Sequence, residues 1–174
     1  MDYQTKPSSR KQLRALSKVF RRLFDVDFHS PFPVLEALEK IPDVFRGTTV
    51  HILGNHALPP NIPARCFLDE DNDFHIEIKE KVYNSAYNGQ GGARSFICHE
   101  MCHVFLYRVG FTPVMNRSFA NNTLPAYCSV EWQTKALCGE VMMPYADTRG
   151  MPEWMIMKAF LVSRDSARMR KKYH

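Results

Sequence analysis

The chain has 174 residues, of which 45% are hydrophobic, 12% aromatic and 24% charged, and its formal net charge is +5. This length suits one domain, and the apolar content allows a real core, which excludes wholesale disorder and a disulfide-stapled miniprotein. No stretch approaches the roughly 18 apolar residues of a membrane span, and residues 1–14 lack the apolar core of a secretory signal. We therefore expect a cytoplasmic protein that makes no contact with a membrane.

The first third of the chain predicts two helices and a strand. Residues 9–24 place apolar side chains at three- and four-residue spacing, which indicates an amphipathic helix that Ser9 can cap. Residues 31–42 allow a short helix held between two prolines. Residues 48–55 are typical of a strand, and the proline-rich stretch 57–65 that follows it must be an irregular connection.

The middle of the chain predicts a hairpin and then a buried helix. Residues 65–83 alternate apolar and polar side chains on either side of a turn at 71–73, which favours two antiparallel strands. The glycine-rich residues 87–93 fit no nucleotide fingerprint, so we interpret them as a turn. Residues 93–109 are apolar nearly all round, which indicates a buried helix that stops at Gly110.

The last third predicts more helix. Residues 116–125 form a polar loop, and residues 129–143 a helix with Ser129 as its cap and Pro144 beyond its end. Residues 151–172 supply one or two final helices, broken around 162–163. The expected fold class is α+β, a small antiparallel sheet packed on a helical bundle that contains the helix at 93–109.

That buried helix carries the motif H-E-x-x-H, as His99, Glu100 and His103. Residues four apart lie on one helical face, so both imidazoles can reach one zinc ion. Glu100 projects about 100° round the helix from His99. It can therefore act as a general base on water, as the glutamate of a metallopeptidase does. The alternative is a pair of core histidines bonded to backbone.

Two histidines leave the zinc site incomplete, because catalytic zinc usually takes three protein ligands. The metzincin continuation is excluded, since Leu106 and Val109 stand where it needs glycine and histidine. Glu131, in the first turn of the next predicted helix, is the third ligand that spacing favours. The alternative to a metal ligand is that Glu131 is exposed and forms an ion pair with Lys135 on the same helix. The other candidates on chemistry alone are Glu140, Asp147, His75 and Cys128.

Two stretches, residues 93–103 and 130–144, resemble the ImmA/IrrE metallopeptidases, and the similarity extends over roughly residues 65–170. The specific matches are Arg94, His99, Glu100, His103, Glu131, Met143 and Pro144. Cys98, Cys102 and Thr134-Lys135 depart from the pattern of that family, but none of these departures removes a ligand.

The resemblance implies that His99, His103 and Glu131 bind Zn²⁺ and that Glu100 is the catalytic base. It implies site-specific cleavage of a helix-turn-helix repressor, which is regulatory proteolysis that switches on genes of mobile elements or stress responses. We expect a single domain over 1–174. It would consist of an N-terminal helical extension (1–64) that packs on the protease, a catalytic core (65–150) and basic C-terminal helices (151–174).

Several points stay open. Seven of the 23 basic residues lie in 1–24 and six in 158–172. The C-terminal segment 159–170 resembles the second half of a helix-turn-helix, so one interpretation is that it contacts DNA. The favoured interpretation is a helix that only packs against the rest of the protein. The DNA-contacting residues would be Arg164, Arg168, Arg170, Lys171 and Lys172.

The candidates for oxyanion stabilisation are Tyr83, Tyr87, Tyr145 and His75. The alternative function is a non-proteolytic, zinc-stabilised regulatory or toxin-like module that binds a protein or DNA. The five cysteines indicate buried thiols in a reducing compartment.

Overall fold

A computed structural model describes residues 2–114 and 124–173, so the polar loop predicted at 116–125 lies almost wholly outside the described residues. The described part contains eight α-helices and three strands, which confirms the α+β fold class. In chain order the elements are α1 (Arg10–Leu23), α2 (Val34–Val44), β1 (Thr48–Leu53), β2 (Ala64–Leu68), β3 (Phe74–Lys79), α3 (Glu80–Tyr87), α4 (Gly91–Arg108), a 3-10 turn (Ala126–Cys128), α5 (Val130–Met142), α6 (Tyr145–Thr148), α7 (Glu153–Phe160) and α8 (Arg164–Lys172).

The sheet has the strand order β1-β3-β2. Strands β2 and β3 pair antiparallel, so the predicted hairpin is confirmed. Strand β1 pairs parallel with β3, and the expectation of an all-antiparallel sheet is therefore wrong: the sheet is mixed. The reason is the proline-rich connection, which carries the chain from β1 to the far edge, where β2 starts the hairpin and leaves β3 in the middle.

Some predicted boundaries differ from those of the structure. Residues 80–83 were expected to continue the second hairpin strand, but α3 begins at Glu80 directly after β3. The glycine-rich turn is short, because α4 already begins at Gly91. Helix α2 was predicted to end at Pro42, but it continues to Val44. Pro42 lacks a backbone N–H and so removes one helical hydrogen bond, but its side chain is exposed and the last turn still forms. Helix α6 was not predicted.

Helix α1 forms as expected and packs against α5. Ser9 and Gln12 cap its start reciprocally: the Ser9 hydroxyl accepts from the Gln12 N–H at 3.2 Å, and the Gln12 amide oxygen accepts from the Ser9 N–H at 2.8 Å. On its buried face Phe20 meets Phe105 of α4 edge to face, with the ring centroids 5.2 Å apart. The N-terminal helix thus shares one hydrophobic core with α4.

Helix α4 is the buried helix that the sequence predicted, and it packs against α2, α3, α5 and β2. Most of its side chains from Ile97 to Leu106 are buried, and the chain leaves it at Gly110 with φ +87°. The predicted break in the C-terminal segment is confirmed, since α7 and α8 are separated by residues 161–163. Among the described residues, no helix combines the length and the apolar character needed to cross a membrane.

Candidate metal centre

The two histidines of the H-E-x-x-H motif point at one place beside α4. The helix puts residues four apart on one face, and the Nε2 atoms of His99 and His103 lie 3.0 Å apart. The side chains are only 18% and 17% exposed, respectively. Two largely buried imidazoles whose ring nitrogens converge in this way are arranged to share a third group.

That third group is Glu131, from the first turn of α5. One of its carboxylate oxygens lies 3.4 Å from Nε2 of His99, and the other 3.2 Å from Nε2 of His103. Ser129 caps the start of helix α5, which bears Glu131: its hydroxyl accepts from the N–H of Trp132 at 2.9 Å. This cap fixes the turn that presents the carboxylate to the two imidazoles.

The three side chains fit a tetrahedral zinc ion. Zinc–nitrogen and zinc–oxygen bonds of about 2.0–2.2 Å set neighbouring ligand atoms roughly 3.3 Å apart. The 3.0 Å between the two Nε2 atoms is close to that spacing, and each Nε2 lies 3.2–3.4 Å from its own oxygen of the Glu131 carboxylate. Two imidazoles and one carboxylate are also a donor set that catalytic zinc takes, and they leave the fourth position free. The chain therefore has a candidate metal site at His99, His103 and Glu131.

The charges of the site are strongly coupled. Burial alone would lower the pKa of His99, but the hydrogen bond with Glu131 and the charge of Glu100 outweigh it, so the pKa rises. Hydrogen bonds with His103 and His99 hold the pKa of Glu131 well below its ordinary value. Burial raises the pKa of Glu100, and the nearby imidazoles offset this only in part. Glu100 is thus a stronger base than a solvated carboxylate.

A second layer of contacts orients the candidate ligands. The Thr134 hydroxyl lies 3.2 Å from Nδ1 of His103 and donates to the carbonyl of Val130 at 2.8 Å. Because the Thr134 hydroxyl already gives its proton to Val130, it must accept a hydrogen bond from Nδ1–H of His103. With the ring proton on Nδ1, the Nε2 atom has a free lone pair that can bind a metal. On the other side, the carboxylate of Asp2 accepts from the N–H of Glu131 at 3.1 Å.

The candidate metal site opens into a cleft of about 790 Å³. His99, Glu100 and Glu131 line it, together with residues 61–64 before and within β2 and part of α8. Methionine and aromatic side chains supply much of its wall, namely Phe96, Trp132, Met142, Met143, Met169 and Tyr173. A cleft of this size accommodates several residues of a peptide beside the metal site.

The other candidate ligands have different partners. Glu140 is buried in ion pairs with Arg170 at 2.8 Å and with Arg14 at 3.0 Å. Asp147 contacts His29 at 2.5 Å, and His75 contacts Asp69 at 2.8 Å. Cys128 lies in the 3-10 turn before α5 and belongs to neither of the metal-ligand groups that the described residues form. Of the five carboxylate, imidazole and thiol candidates, the structure brings only Glu131 to the histidines.

The structure does not place the four candidates for oxyanion stabilisation at the cleft: Tyr83, Tyr87, Tyr145 and His75 are absent from the described residues that line it. Sequence reasoning missed several polar residues that do line it, among them Arg10 and Tyr173. The Arg10 guanidinium lies 4.2 Å from the centroid of the Tyr173 ring. Only their convergence from opposite ends of the chain shows that they face the site, and the local sequence carries no signal of it.

Arg170, one of the proposed DNA-contacting residues, is buried and held by Glu140 and by the hydroxyl of Thr148, which accepts from its Nε at 3.0 Å. It is therefore unable to reach a phosphate. Arg164, Arg168, Lys171 and Lys172 remain exposed on α8, so the question of DNA contact concerns these four.

The chain matches no protein-family model and no curated protein. The resemblance to the ImmA/IrrE metallopeptidases therefore stays a prediction that rests on the motifs quoted above.

Proposed function

We propose that the chain is a zinc-dependent endopeptidase that hydrolyses a peptide bond in a protein substrate. The observation that carries the proposal is the convergence of His99, His103 and Glu131, whose candidate ligand atoms all lie within 4.8 Å of one another, with Glu100 beside them on the wall of a large cleft. A purely structural zinc site is closed by four protein ligands and has no use for a neighbouring base. Three ligands, an open cleft and a neighbouring carboxylate favour catalysis.

The residues of the proposed site have different roles. His99, His103 and Glu131 would hold the zinc, and Thr134 would keep His103 in the required tautomer. Zinc, when bound, polarises a carbonyl and lowers the pKa of water towards about 7. Glu100 takes the proton from the attacking water and returns it to the amine that leaves when the peptide bond breaks. Its partly desolvated carboxylate is suited to both transfers.

The cleft favours an extended peptide. Strand β2 lies at an edge of the sheet, and residues 61–64, which lead into it, line the cleft beside Glu100. An edge strand can pair with a peptide backbone by strand addition, while apolar pockets receive alternate side chains. Together with the resemblance to repressor-cleaving peptidases, this leads us to propose a helix-turn-helix repressor as the substrate, presented as an unfolded segment.

Metal analysis is the first test. We expect the purified chain to contain one equivalent of zinc, and His103→Ala and Glu131→Ala to lose it, because each removes one of three ligands. Glu39→Ala, at an exposed position of α2, is the matched control and should keep the metal. If Glu131→Ala retained a full equivalent, the ligand assignment would be wrong.

Cleavage is the second test. A peptide library of mixed sequence, analysed by mass spectrometry for new termini, serves as the substrate. We expect cleavage that a chelator abolishes and zinc restores, and a loss of at least about 100-fold in Glu100→Gln, since general-base catalysis contributes 10²–10⁴-fold. Glu100→Gln should retain its zinc and Glu39→Gln its activity. Normal cleavage by Glu100→Gln would contradict the proposed base, and zinc binding without any cleavage would favour the non-proteolytic module.

A further inference from the structure

Three of the five cysteines meet in the core behind the candidate zinc site. Cys98 and Cys102 lie four residues apart on one face of α4, and Cys138 reaches them from α5, which packs across α4. Their sulfur atoms all lie within 4.8 Å of one another. The residues are 0%, 0% and 7% exposed, respectively. This thiol cluster is a separate group from His99, His103 and Glu131.

The thiol cluster restricts which metal ions it can bind. Among the described residues the group consists of three sulfurs and includes no imidazole or carboxylate. Sulfur donors select soft ions, whereas structural zinc normally takes four protein ligands. Metal–thiolate bonds of about 2.3 Å put three sulfurs around a trigonal ion roughly 4 Å apart. A spacing of this size lies within the 4.8 Å that bounds the separations of the three sulfurs.

The surroundings of the thiol cluster give an ion both a route and a compensating charge. Cys138 also lines the cleft of about 790 Å³, so the thiol cluster adjoins the space through which an ion would enter. Arg94 precedes Cys98 by one turn of α4, so both residues lie on the same side of the helix. The buried Nε of Arg94 has no hydrogen-bond partner among the described atoms. A guanidinium at this place offsets negative charge on thiolates, which burial would otherwise make costly.

We propose that Cys98, Cys102 and Cys138 form a second metal site, which takes one soft monovalent cation of the Cu⁺ class in a trigonal sulfur shell. Binding releases the thiol protons to solvent and forms metal–sulfur bonds, with no change of oxidation state. Because α4 and α5 also carry the candidate zinc ligands, an ion in the thiol cluster ties together the two helices on which the zinc site depends.

The test is a titration of the zinc-loaded chain with Cu⁺ under anaerobic conditions, in competition with a chromogenic Cu⁺ chelator. We expect uptake of one equivalent, with the ultraviolet absorption of thiolate-to-copper charge transfer, and no release of zinc. Cys138→Ala and Cys102→Ala should each lose the equivalent. Cys66→Ala and Cys128→Ala, which remove thiols outside the cluster, should keep it.

The thermal midpoint and the zinc content of each variant establish that it is folded. X-ray absorption at the copper edge of the wild type needs no variant, and it should show three sulfur neighbours. Absence of uptake, uptake that persists in both Cys138→Ala and Cys102→Ala, or nitrogen and oxygen neighbours would overturn the proposal. A second equivalent of Zn²⁺ that occupies these thiols and resists Cu⁺ would overturn the assignment to a monovalent ion.

Discussion

Thr134 shows how a single hydroxyl can orient a candidate metal ligand. It lies 3.2 Å from Nδ1 of His103 and gives its own proton to the carbonyl of Val130, so it accepts from the imidazole. This contact selects the tautomer whose Nε2 is free for zinc and holds the ring towards Glu131.

We expect Thr134→Val to weaken zinc binding by about 10-fold, because valine keeps the shape of the side chain but removes the hydrogen bond that orients His103. Competition with a chelator of known affinity measures the change. Thr49→Val, on β1, is the control and should bind zinc like the wild type. An unchanged zinc affinity in Thr134→Val would mean that packing alone orients the imidazole.

The buried ion pair between Glu140 and Arg170 is the second residue-scale prediction. Both side chains are 2% exposed, and two bonds of 2.8 Å join them. We expect Glu140→Ala to lower the free energy of unfolding by about 3–5 kcal/mol, because it leaves the Arg170 guanidinium buried without its partner. Urea denaturation measures the loss.

Glu153→Ala is the matched control. Glu153 pairs with Arg164 at 2.8 Å, but the Arg164 side chain is 73% exposed, and such pairs contribute about 0–1 kcal/mol. A loss as small for Glu140→Ala as for Glu153→Ala would show that water reaches the buried pair.

At the scale of single residues, the sequence correctly predicted the contacts that follow from spacing along one helix. The i,i+4 rule brings His99 and His103 to one face, and the structure shows their nitrogens together. Spacing favoured Glu131 but could not remove Glu140, because the ion pair that occupies Glu140 involves residues 126 and 30 positions away. The thiol cluster was missed for the same reason: Cys138 joins the other two only when α5 packs on α4.

At the scale of elements, the close approach of α4 to the turn between α7 and α8 depends on Gly91. A Cβ atom built at Gly91 would lie 2.4 Å from both the backbone N of Ser163 and the carbonyl carbon of Val162. Backbone atoms cannot give way as a flexible side chain can. The C-terminal helices therefore dock against the start of the helix that carries His99 because residue 91 has no side chain.

We expect Gly91→Ala to lower the free energy of unfolding by about 1–3 kcal/mol, the usual cost of overpacking. Gly92→Ala is a control on the next residue, where nothing lies within 4 Å of the added Cβ. It should leave stability unchanged or raise it by up to about 1 kcal/mol, because alanine favours helix over glycine. Equal stability of the two variants, measured in urea, would contradict the docking role of Gly91.

The elements themselves were predicted best where they are long and periodic, as α1, α4 and α5 are. Helix α3 was missed because Glu80–Tyr87 is only eight residues long and continues directly from the alternating pattern of β3. The parallel pairing of β1 could not be predicted, because it depends on the side of the hairpin to which the proline-rich connection delivers β2. Such choices are made by long-range packing, which local patterns do not encode.

At the scale of the whole molecule, the first residues of the chain brace the candidate metal site. The N–H of Thr5 donates to the carbonyl of Cys128 at 2.8 Å, and the N–H of Val130 to the carbonyl of Tyr3 at 2.9 Å. The carboxylate of Asp2 then accepts from the hydroxyl of Ser129 at 2.5 Å and from the N–H of Glu131 at 3.1 Å. The N-terminal strap, residues 2–8, thus lies along the segment that leads into Glu131.

This arrangement predicts that Asp2, 129 positions away from Glu131 in sequence, affects the affinity of the candidate site for zinc. The negative charge of Asp2 sits at the N-terminus of α5, where the helix dipole favours it, and its hydrogen bonds hold the first turn. Asp2→Ala should therefore weaken zinc binding by about 10-fold, as the loss of an outer-shell partner does, while leaving the zinc stoichiometry at one. Asp43→Ala, at an exposed position of α2, should bind zinc like the wild type. If Asp2→Ala lowered thermal stability equally with and without zinc, and left the zinc affinity unchanged, the N-terminal strap would stabilise the fold without reaching the site.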